Sequence, residues 1–397
     1  MVKILIINVP FHGHVNPTIA ITKELVDRGY KVTYLISKEF KEEIELTGAK
    51  IMLYDYDEKK GMPLNGKRLM SNIYETALRI GKDYNLIIYE FMFLMGKHLG
   101  DILQKPTIRL ISMFAFNKYT LNLSHKNYSK SSLQLKLIQN KSARKIFTLI
   151  MFGSGKVKNN DILTEVLDNV PELNIIFTSR KFQIHSEKFE HKTYKFIGPS
   201  ICRRAENNSI PLNKLKEKVI YISLGTLFNK SLNFFKICLE AFNDVDMTII
   251  MSIGKNINIK NLGTIPDNFL VYPVVPQLEV LKRTNVFITH GGMNSVNEAI
   301  YYGVPVITIP QFADQPTVAK RLEELGLGKV INKKDVSVET LKSALSDVLC
   351  NTRYKENMKI MSEDMKKCGG YIAATNEIEK YIGLNFSIST KYNTYYT

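Results

Sequence analysis

The residues with the clearest chemical meaning lie in one short segment, His290–Glu298. An apolar run, Val286–Thr289, predicts a strand, and a helix is predicted to start near Asn294. The two glycines between them, Gly291 and Gly292, allow backbone amides to approach a ligand closely. A helix start also offers unpaired N–H groups and the positive end of the helix dipole. The segment therefore predicts a diphosphate site.

Side chains of the same segment extend this site. Asn294 and Ser295 add hydrogen-bond donors, and His290 adds another donor, with a positive charge if it is protonated. Glu298 lies one helical turn beyond Asn294 and is expected on the same side of the helix. Because a carboxylate repels phosphate, Glu298 is better suited to accept hydrogen bonds from the two hydroxyls of a ribose. A plain glycine turn followed by a surface glutamate is the alternative.

Two neighbouring strand ends carry further polar residues. The predicted strand Val304–Ile309 is followed by Asp314 and Gln315, an acid beside an amide, which suits sugar hydroxyls. Such a pair is also common at an ordinary helix start, so its position after a strand is what favours a binding role. Thr226 follows the predicted strand Val219–Ser223 and can offer a hydroxyl and amides to the phosphates.

The elements that must position these residues form two similar halves. Alternating apolar runs and helical segments predict parallel sheets in doubly wound α/β domains. Asn16 is predicted to cap the first helix and Pro17 to occupy its first position. The predicted strands are Lys3–Val9, Lys31–Ile36, Ala49–Tyr54, Leu86–Tyr89 and Thr107–Ser112 in the first half, and Val219–Ser223, Met247–Met251, Phe269–Tyr272, Val286–Thr289 and Val304–Ile309 in the second.

The predicted domain boundaries follow from this alternation. Residues 1–200 form the first domain, 201–217 a linker, and 218–370 the second domain. A C-terminal helix at 371–386 is expected to pack back on the first domain, followed by a polar tail at 387–397. Residues 117–170 read either as a helical wall of an acceptor pocket or as ordinary surface helices. Ligands of open parallel sheets bind at the carboxyl ends of the strands, so two facing domains would share one cleft.

Composition limits the class of protein. The 397 residues include 54 Lys and Arg against 38 Asp and Glu, a net charge of +16. One interpretation of this positive charge is a lysine-rich solvated surface. The other is that the charge attracts anionic nucleotides or acidic membranes. Basic residues do not alternate with aromatic ones, so nucleic acid is not favoured. No apolar stretch reaches the ~18 residues of a membrane span, and the start is not a signal peptide. A cytoplasmic location is expected, and membrane contact is not favoured.

Several motifs resemble one known family. The segments VPQ at 275–277, THGGMNSVNEA at 289–299 and PQFADQ at 310–315 look like the nucleotide-sugar signature of family-one glycosyltransferases, most of all the bacterial macrolide enzymes. FHGHVNPT at 11–18, FTSRKFQ at 177–183 and YKFIGPS at 194–200 resemble the same family in the same order. The resemblance implies a GT-B fold and adds Val275 and Gln277 to the donor site. Plant members stack a tryptophan on uracil here, whereas this chain has none and carries Val274 or Val275.

The resemblance also implies an inverting reaction with a histidine base. The family base lies three residues before a proline, which here makes it His14, before Pro17, while His12 shapes the loop. The family supports this base with an aspartate after the fourth strand, where this chain has Glu90. We hypothesise that Glu90 orients His14. A strand-end glutamate paired elsewhere is the alternative.

The acceptor side is less defined. Four apolar residues follow two strands of the first domain and are expected to line an acceptor pocket, although core packing explains them equally well: Phe91, Phe93, Met113 and Phe114. The expected reaction moves glucose from UDP-glucose to a macrolide, flavonoid or other phenol. No metal or cofactor is expected, because helix ends and polar side chains can stabilise the leaving diphosphate. The alternatives are a membrane-associated glycolipid or cell-wall precursor transferase, a catalytically silent homologue, and a sugar-nucleotide epimerase.

Overall fold

The chain divides into two compact units, each built on one parallel sheet. A computed structural model describes residues 1–55, 62–120, 140–202, 210–211, 216–225 and 231–392. Unit 1 consists of residues 1–201 and 368–397, and unit 2 of residues 202–367. The central strands of both sheets are short apolar runs buried on both faces, as parallel sheets require. Within the described residues, no helix is long and apolar enough to cross a membrane.

Unit 1 contains a seven-stranded sheet with the order β3-β2-β1-β4-β5-β6-β7. All neighbouring strands in it are parallel. Its strands are β1 (Lys3–Ile7), β2 (Lys31–Ile36), β3 (Lys50–Leu53), β4 (Leu86–Glu90), β5 (Thr107–Ile111), β6 (Leu173–Ile176) and β7 (Tyr194–Phe196). The first five confirm the predicted strands. β6 and β7 were not predicted, because four and three residues with polar members give too short an apolar pattern.

The helices of unit 1 cover both faces of this sheet. Those described within residues 1–201 are α1 (His12–Asp27), α2 (Lys41–Glu45), α3 (Met62–Gly81), α4 (Gly96–Leu103), α5 (Lys141–Phe152) and α6 (Ile162–Leu167). The predicted start of α1 is wrong. The helix begins at His12 with Phe11 as its N-cap, and Pro17 lies inside it. The Phe11 carbonyl accepts from the His14 and Val15 amides at 2.9 Å, which closes the first turn early. His14 therefore stands on the first helical turn rather than in a loop.

Unit 2 contains a six-stranded parallel sheet with the order β10-β9-β8-β11-β12-β13. Its strands are β8 (Val219–Ser223), β9 (Thr248–Ser252), β10 (Phe269–Tyr272), β11 (Val286–Thr289), β12 (Val306–Thr308) and β13 (Gly328–Val330). Its helices are α7 (Leu232–Phe242), α8 (Gln277–Leu281), α9 (Met293–Tyr301), α10 (Gln315–Glu324), α11 (Val338–Cys350) and α12 (Thr352–Lys367). β13 was not predicted. A Cβ on its Gly328 would lie 1.9 Å from the Val306 carbonyl oxygen, so only glycine fits there.

The last helix, α13 (Gly370–Tyr392), belongs to unit 1. Its Ala374, Ile378 and Ile382 are buried in the same cluster as residues of α1. Glu379 accepts from Arg28, the C-cap of α1, at 2.6 Å. This helix continues six residues beyond the predicted end at 386, into the segment predicted as a polar tail.

The predicted helical stretch 117–170 contains α5 and α6. Residues 121–139 of that stretch lie outside the described residues. Much of the predicted linker, residues 203–209 and 212–215, does so as well.

Candidate active site

The first part of the site is built where β1 turns into α1. Asn8 follows β1, is fully buried, and donates from Nδ2 to the carbonyl of His14 at 3.0 Å and to the hydroxyl of Tyr34 at 2.8 Å. Its own Oδ1 accepts from the amide of Val9 at 2.8 Å. Buried amides that are fully hydrogen-bonded are rigid. Asn8 therefore fixes the backbone that carries His14.

The ends of three strands place a carboxylate and a hydroxyl beside His14. β1 pairs with β4, and β4 with β5, so their carboxyl ends lie at one edge of the sheet. The Nδ1 atom of His14 lies 2.9 Å from Oε1 of Glu90 and 2.7 Å from Oγ of Ser112. Ser112 also donates to Oε1 of Glu90 at 2.8 Å. With Nδ1–H facing a carboxylate, Nε2 carries the lone pair of the neutral ring.

Glu90 reaches His14 although it is one methylene longer than the family's aspartate. Its side chain is fully buried, and Oε2 accepts from the backbone amide of Met92 at 2.7 Å. The carboxylate is thus held at both oxygens. The predicted role of Glu90 in orienting His14 agrees with this contact and remains a prediction. Ser112 was not singled out in the sequence, although it is a polar residue at the end of the strand next to β4.

The four residues predicted to line an acceptor pocket differ in their exposure. Phe93 is fully buried, and Phe91 and Phe114 are 7% and 5% exposed. Phe91 stacks on Phe116 with ring centroids 5.5 Å apart, and Phe114 lies 5.5 Å from Phe182. These three phenylalanines pack in the core, the alternative that the sequence left open, and their contact with an acceptor stays a prediction. Met113 is half-buried and is the only one of the four predicted residues with appreciable exposed surface.

The donor segment of unit 2 is a tight turn built around His290. A Cβ on Gly292 would lie 2.5 Å from Nε2 of His290, and one on Gly225 would lie 2.6 Å from its Cε1. Gly291 has a φ of +81°, in the left-handed region that favours glycine. The glycines therefore make room for the packed imidazole. α9 then begins at Met293 with Gly292 as N-cap, which has no side chain to cap the first amides.

His290 is neutral at pH 7. Its ring lies deep among protein atoms, and this burial lowers its pKa from 6.5 to about 4. The residue keeps part of its surface accessible at the strand end. Its Nδ1 lies 3.4 Å from the hydroxyl of Thr289, and the ring does not bring the positive charge that the sequence left open.

Glu298 is the centre of a buried hydrogen-bond network. Its Oε1 accepts from Nδ2 of Asn294 at 2.9 Å and its Oε2 from Nε2 of Gln277 at 2.6 Å. Gln277 also lies 3.3 Å from Oγ of Ser295 and accepts from the hydroxyl of Tyr221 at 3.1 Å. Asn294 thus uses one of its two amide hydrogens to hold Glu298, and its donation to phosphate stays a prediction. The network fixes a carboxylate at the position predicted to meet a ribose.

The segment after β12 is shaped by Gln315. Its Oε1 accepts from the amides of Gln311 at 2.8 Å and of Phe312 at 3.1 Å, which leaves its amide nitrogen as the group that can donate to a ligand. Ala313 has a φ of +58°, unusual for a residue with a side chain. Strain of this kind, about 1–2 kcal/mol, is typical of functional loops. Asp314 follows Ala313 and is the N-cap residue of α10, but its side chain does not cap the helix.

The remaining predicted donor residues differ in their placement. Val275 is 5% exposed and packs in the core, whereas Val274 is 38% exposed. A contact with a nucleotide base would therefore use the side chain of Val274, not that of Val275. Thr226 lies outside the described residues.

The chain is similar to known glycosyltransferases over nearly its whole length. The family described as UDP-glucoronosyl and UDP-glucosyl transferase matches residues 160–367. An uncharacterized UDP-glucosyltransferase of Bacillus subtilis (strain 168), YojK, is 36% identical over 95% of this chain and 97% of its own. The oleandomycin glycosyltransferase of Streptomyces antibioticus is 25% identical over 95% of this chain and 90% of its own.

A solved structure supports the same fold. The calicheamicin glycosyltransferase CalG4 superimposes with a TM-score of 0.80 and 27% identity, covering 96% of this chain and 98% of its own. Together with the two parallel sheets, this similarity confirms the GT-B fold predicted from the sequence.

Proposed function

The chain belongs to the UDP-glucoronosyl and UDP-glucosyl transferase family, and we propose that it glucosylates a small hydrophobic acceptor. It is a nucleotide-sugar glycosyltransferase of the natural-product type. The proposed donor is UDP-glucose and the proposed acceptor group is a hydroxyl, as in a macrolide, flavonoid or other phenol. The observation that carries the proposal is the contact of 2.9 Å between His14 Nδ1 and the buried carboxylate of Glu90. A histidine held in this way is a competent general base.

The proposed reaction inverts the anomeric carbon. Nε2 of His14 takes the proton of the acceptor hydroxyl while the oxygen attacks the anomeric carbon. The bond from that carbon to the diphosphate oxygen breaks, and UDP leaves with the electron pair. The imidazolium that forms is stabilised by the Glu90 carboxylate, whose fully buried position strengthens the attraction.

The donor is proposed to lie on the start of α9. The first backbone amides after Gly292 and the helix dipole would stabilise the leaving diphosphate, and neutral His290 would add a hydrogen bond. Glu298 would accept from the ribose hydroxyls, while Asp314 and the amide nitrogen of Gln315 would meet the sugar. On this proposal the reaction requires no metal.

The test is a mass-shift assay. Purified protein is incubated with UDP-glucose, UDP-GlcNAc and dTDP sugars and a panel of macrolides, flavonoids and simple phenols. We expect one added hexose with UDP-glucose, retained in the presence of a chelator, and a product of inverted anomeric configuration by NMR. His14→Ala should abolish the product but still bind UDP, while the exposed His191→Ala serves as control. Saturable UDP binding without product would favour a silent homologue, and release of an altered UDP-sugar without acceptor would favour an epimerase.

One observation favours a second candidate, transfer to an acceptor held in an acidic membrane. Helix α5 exposes four large apolar side chains, Ile146 (58%), Phe147 (43%), Leu149 (39%) and Ile150 (59%), with the exposed Lys141 at its start. An apolar face beside basic residues suits an anionic lipid surface. Sedimentation with phosphatidylserine vesicles tests this candidate: binding that is lost in Ile146→Ser/Ile150→Ser supports it, and no binding removes it.

A further inference from the structure

Ser112 of unit 1 lies within hydrogen-bond distance of both Glu90 and His14. It directly follows β5 and is buried. Its Oγ lies 2.7 Å from Nδ1 of His14 and 2.8 Å from Oε1 of Glu90. These two atoms are themselves 2.9 Å apart, so the three groups form a closed triangle. The proposed function uses only two of them.

The geometry shows what the third group adds. A glutamate has one more rotatable bond than an aspartate, so its carboxylate needs more restraint to stay in one place. One restraint comes from the amide of Met92, two residues along the same chain segment. The hydroxyl of Ser112 is an independent restraint, because it comes from the neighbouring strand, β5.

We propose that Ser112 is a positioning residue that holds Glu90 and His14 in register for proton transfer, an inference that rests on the proposed function. The hydroxyl of Ser112 donates to Oε1 of Glu90, and its oxygen shares the Nδ1–H of His14 with that same Oε1. With its hydroxyl hydrogen on Glu90, Ser112 meets the ring nitrogen only as an acceptor. The Nδ1 proton therefore stays on the ring, and Nε2 remains the basic nitrogen. Ser112 itself neither gains nor loses a proton in the reaction.

A purely structural serine would behave differently, and the chain offers one for comparison. Ser179 is also buried in unit 1, and its Oγ accepts from the amide of Phe182 at 3.2 Å. Loss of either hydroxyl removes buried hydrogen bonds and should lower stability by about 1–3 kcal/mol. Only loss of Ser112 should also change the chemistry of His14.

The kinetic test compares single variants with one double variant. Ser112→Ala should lower kcat by about tenfold to a hundredfold, the cost of a small misplacement of a catalytic group. It should leave the KM for UDP-glucose unchanged, since the donor residues lie in unit 2. Ser112→Thr, which keeps the hydroxyl, should recover most of the rate, and Ser179→Ala should lose stability without losing kcat. In a Glu90→Gln background, Ser112→Ala should add little further loss, because the two residues act together.

A second measurement does not depend on turnover. Long-range 1H–15N spectra of protein labelled at histidine, assigned with His14→Ala, report which ring nitrogen carries the proton. We expect the Nδ1–H form at His14 in the unmodified chain and a mixture in Ser112→Ala. An unchanged tautomer with unchanged kcat would overturn the inference. If the unmodified chain shows the Nδ1–H form but transfers no sugar to any acceptor, the proposed function fails while the assigned role of Ser112 in orienting the ring stands.

Discussion

Replacement of Gly292 by alanine should disturb the donor site through one identifiable clash. The backbone of Gly292 has a φ of −64°, which alanine adopts without strain, so any effect must come from the added methyl group. That methyl carbon would lie 2.5 Å from Nε2 of His290 and 3.0 Å from its Cε1. Gly225 crowds the same edge of the ring, because a Cβ there would be 2.6 Å from Cε1.

The magnitude follows from these distances. To restore ordinary contact, the imidazole or the start of α9 must shift by about 1 Å. Overpacking of this size destabilises proteins by about 1–3 kcal/mol, and a domain of this size loses about 2–4 °C of melting temperature per kcal/mol. Because the same shift moves the groups proposed to hold the diphosphate, kcat/KM for UDP-glucose should fall by about tenfold to a hundredfold.

Two comparisons make this prediction refutable. Gly303 has a φ of +72° and nothing within 4 Å of its added Cβ, so Gly303→Ala should cost about 1–2 kcal/mol of stability without changing the KM for UDP-glucose. In a His290→Ala background the clash is gone, and Gly292→Ala should cost almost nothing more. If Gly292→Ala costs as much without the imidazole as with it, measured by thermal unfolding and UDP affinity, the reasoning is refuted.

Three further predictions follow from the same geometry. Glu90→Asp should draw the carboxylate back from His14 and lower kcat by about a hundredfold at unchanged KM for UDP-glucose, and an undiminished kcat would contradict the dyad. Glu298→Gln should weaken UDP binding measured by calorimetry by more than tenfold, because an amide would face amide donors, whereas the exposed Glu279→Gln should not. Burial lowers the pKa of His290 to about 4, so its unfolded form, at 6.5, takes up a proton first. The contribution of His290 to the free energy of unfolding should therefore be fully present above pH 6.5 and fall as the pH drops toward 4. The slope of melting temperature against pH should flatten in His290→Gln. Equal slopes in the two proteins would refute the lowered pKa of His290.

Part of the site was open to prediction from the chain alone, because local patterns carry it. Strands buried on both faces are written as apolar runs, and loops after such strands are where ligands of parallel sheets bind. These two rules led to His14, Glu90 and Glu298, which lie at or beyond strand ends. In the structure His14 contacts Glu90, and Glu298 accepts from Gln277. The resemblance of motifs added the fold, which was confirmed.

Other features depend on packing that no local pattern encodes. A phenylalanine in the sequence does not show whether its ring faces a ligand or the core. The structure places Phe91, Phe93 and Phe114 in the core. β7 and β13 are three-residue strands whose pairing is decided by the neighbouring strand rather than by their own sequence.

The sequence by itself thus determined which residue types stand at the strand ends and in which order. Tertiary structure decided what each of them does there. The helix starts at His12 because the Phe11 carbonyl closes a turn, which sets His14 beside Ser112, a residue 98 positions away in the chain. Desolvation, not composition, leaves His290 neutral. Hydrogen bonding and burial depend on distances between segments remote in sequence, and only the folded chain sets those distances.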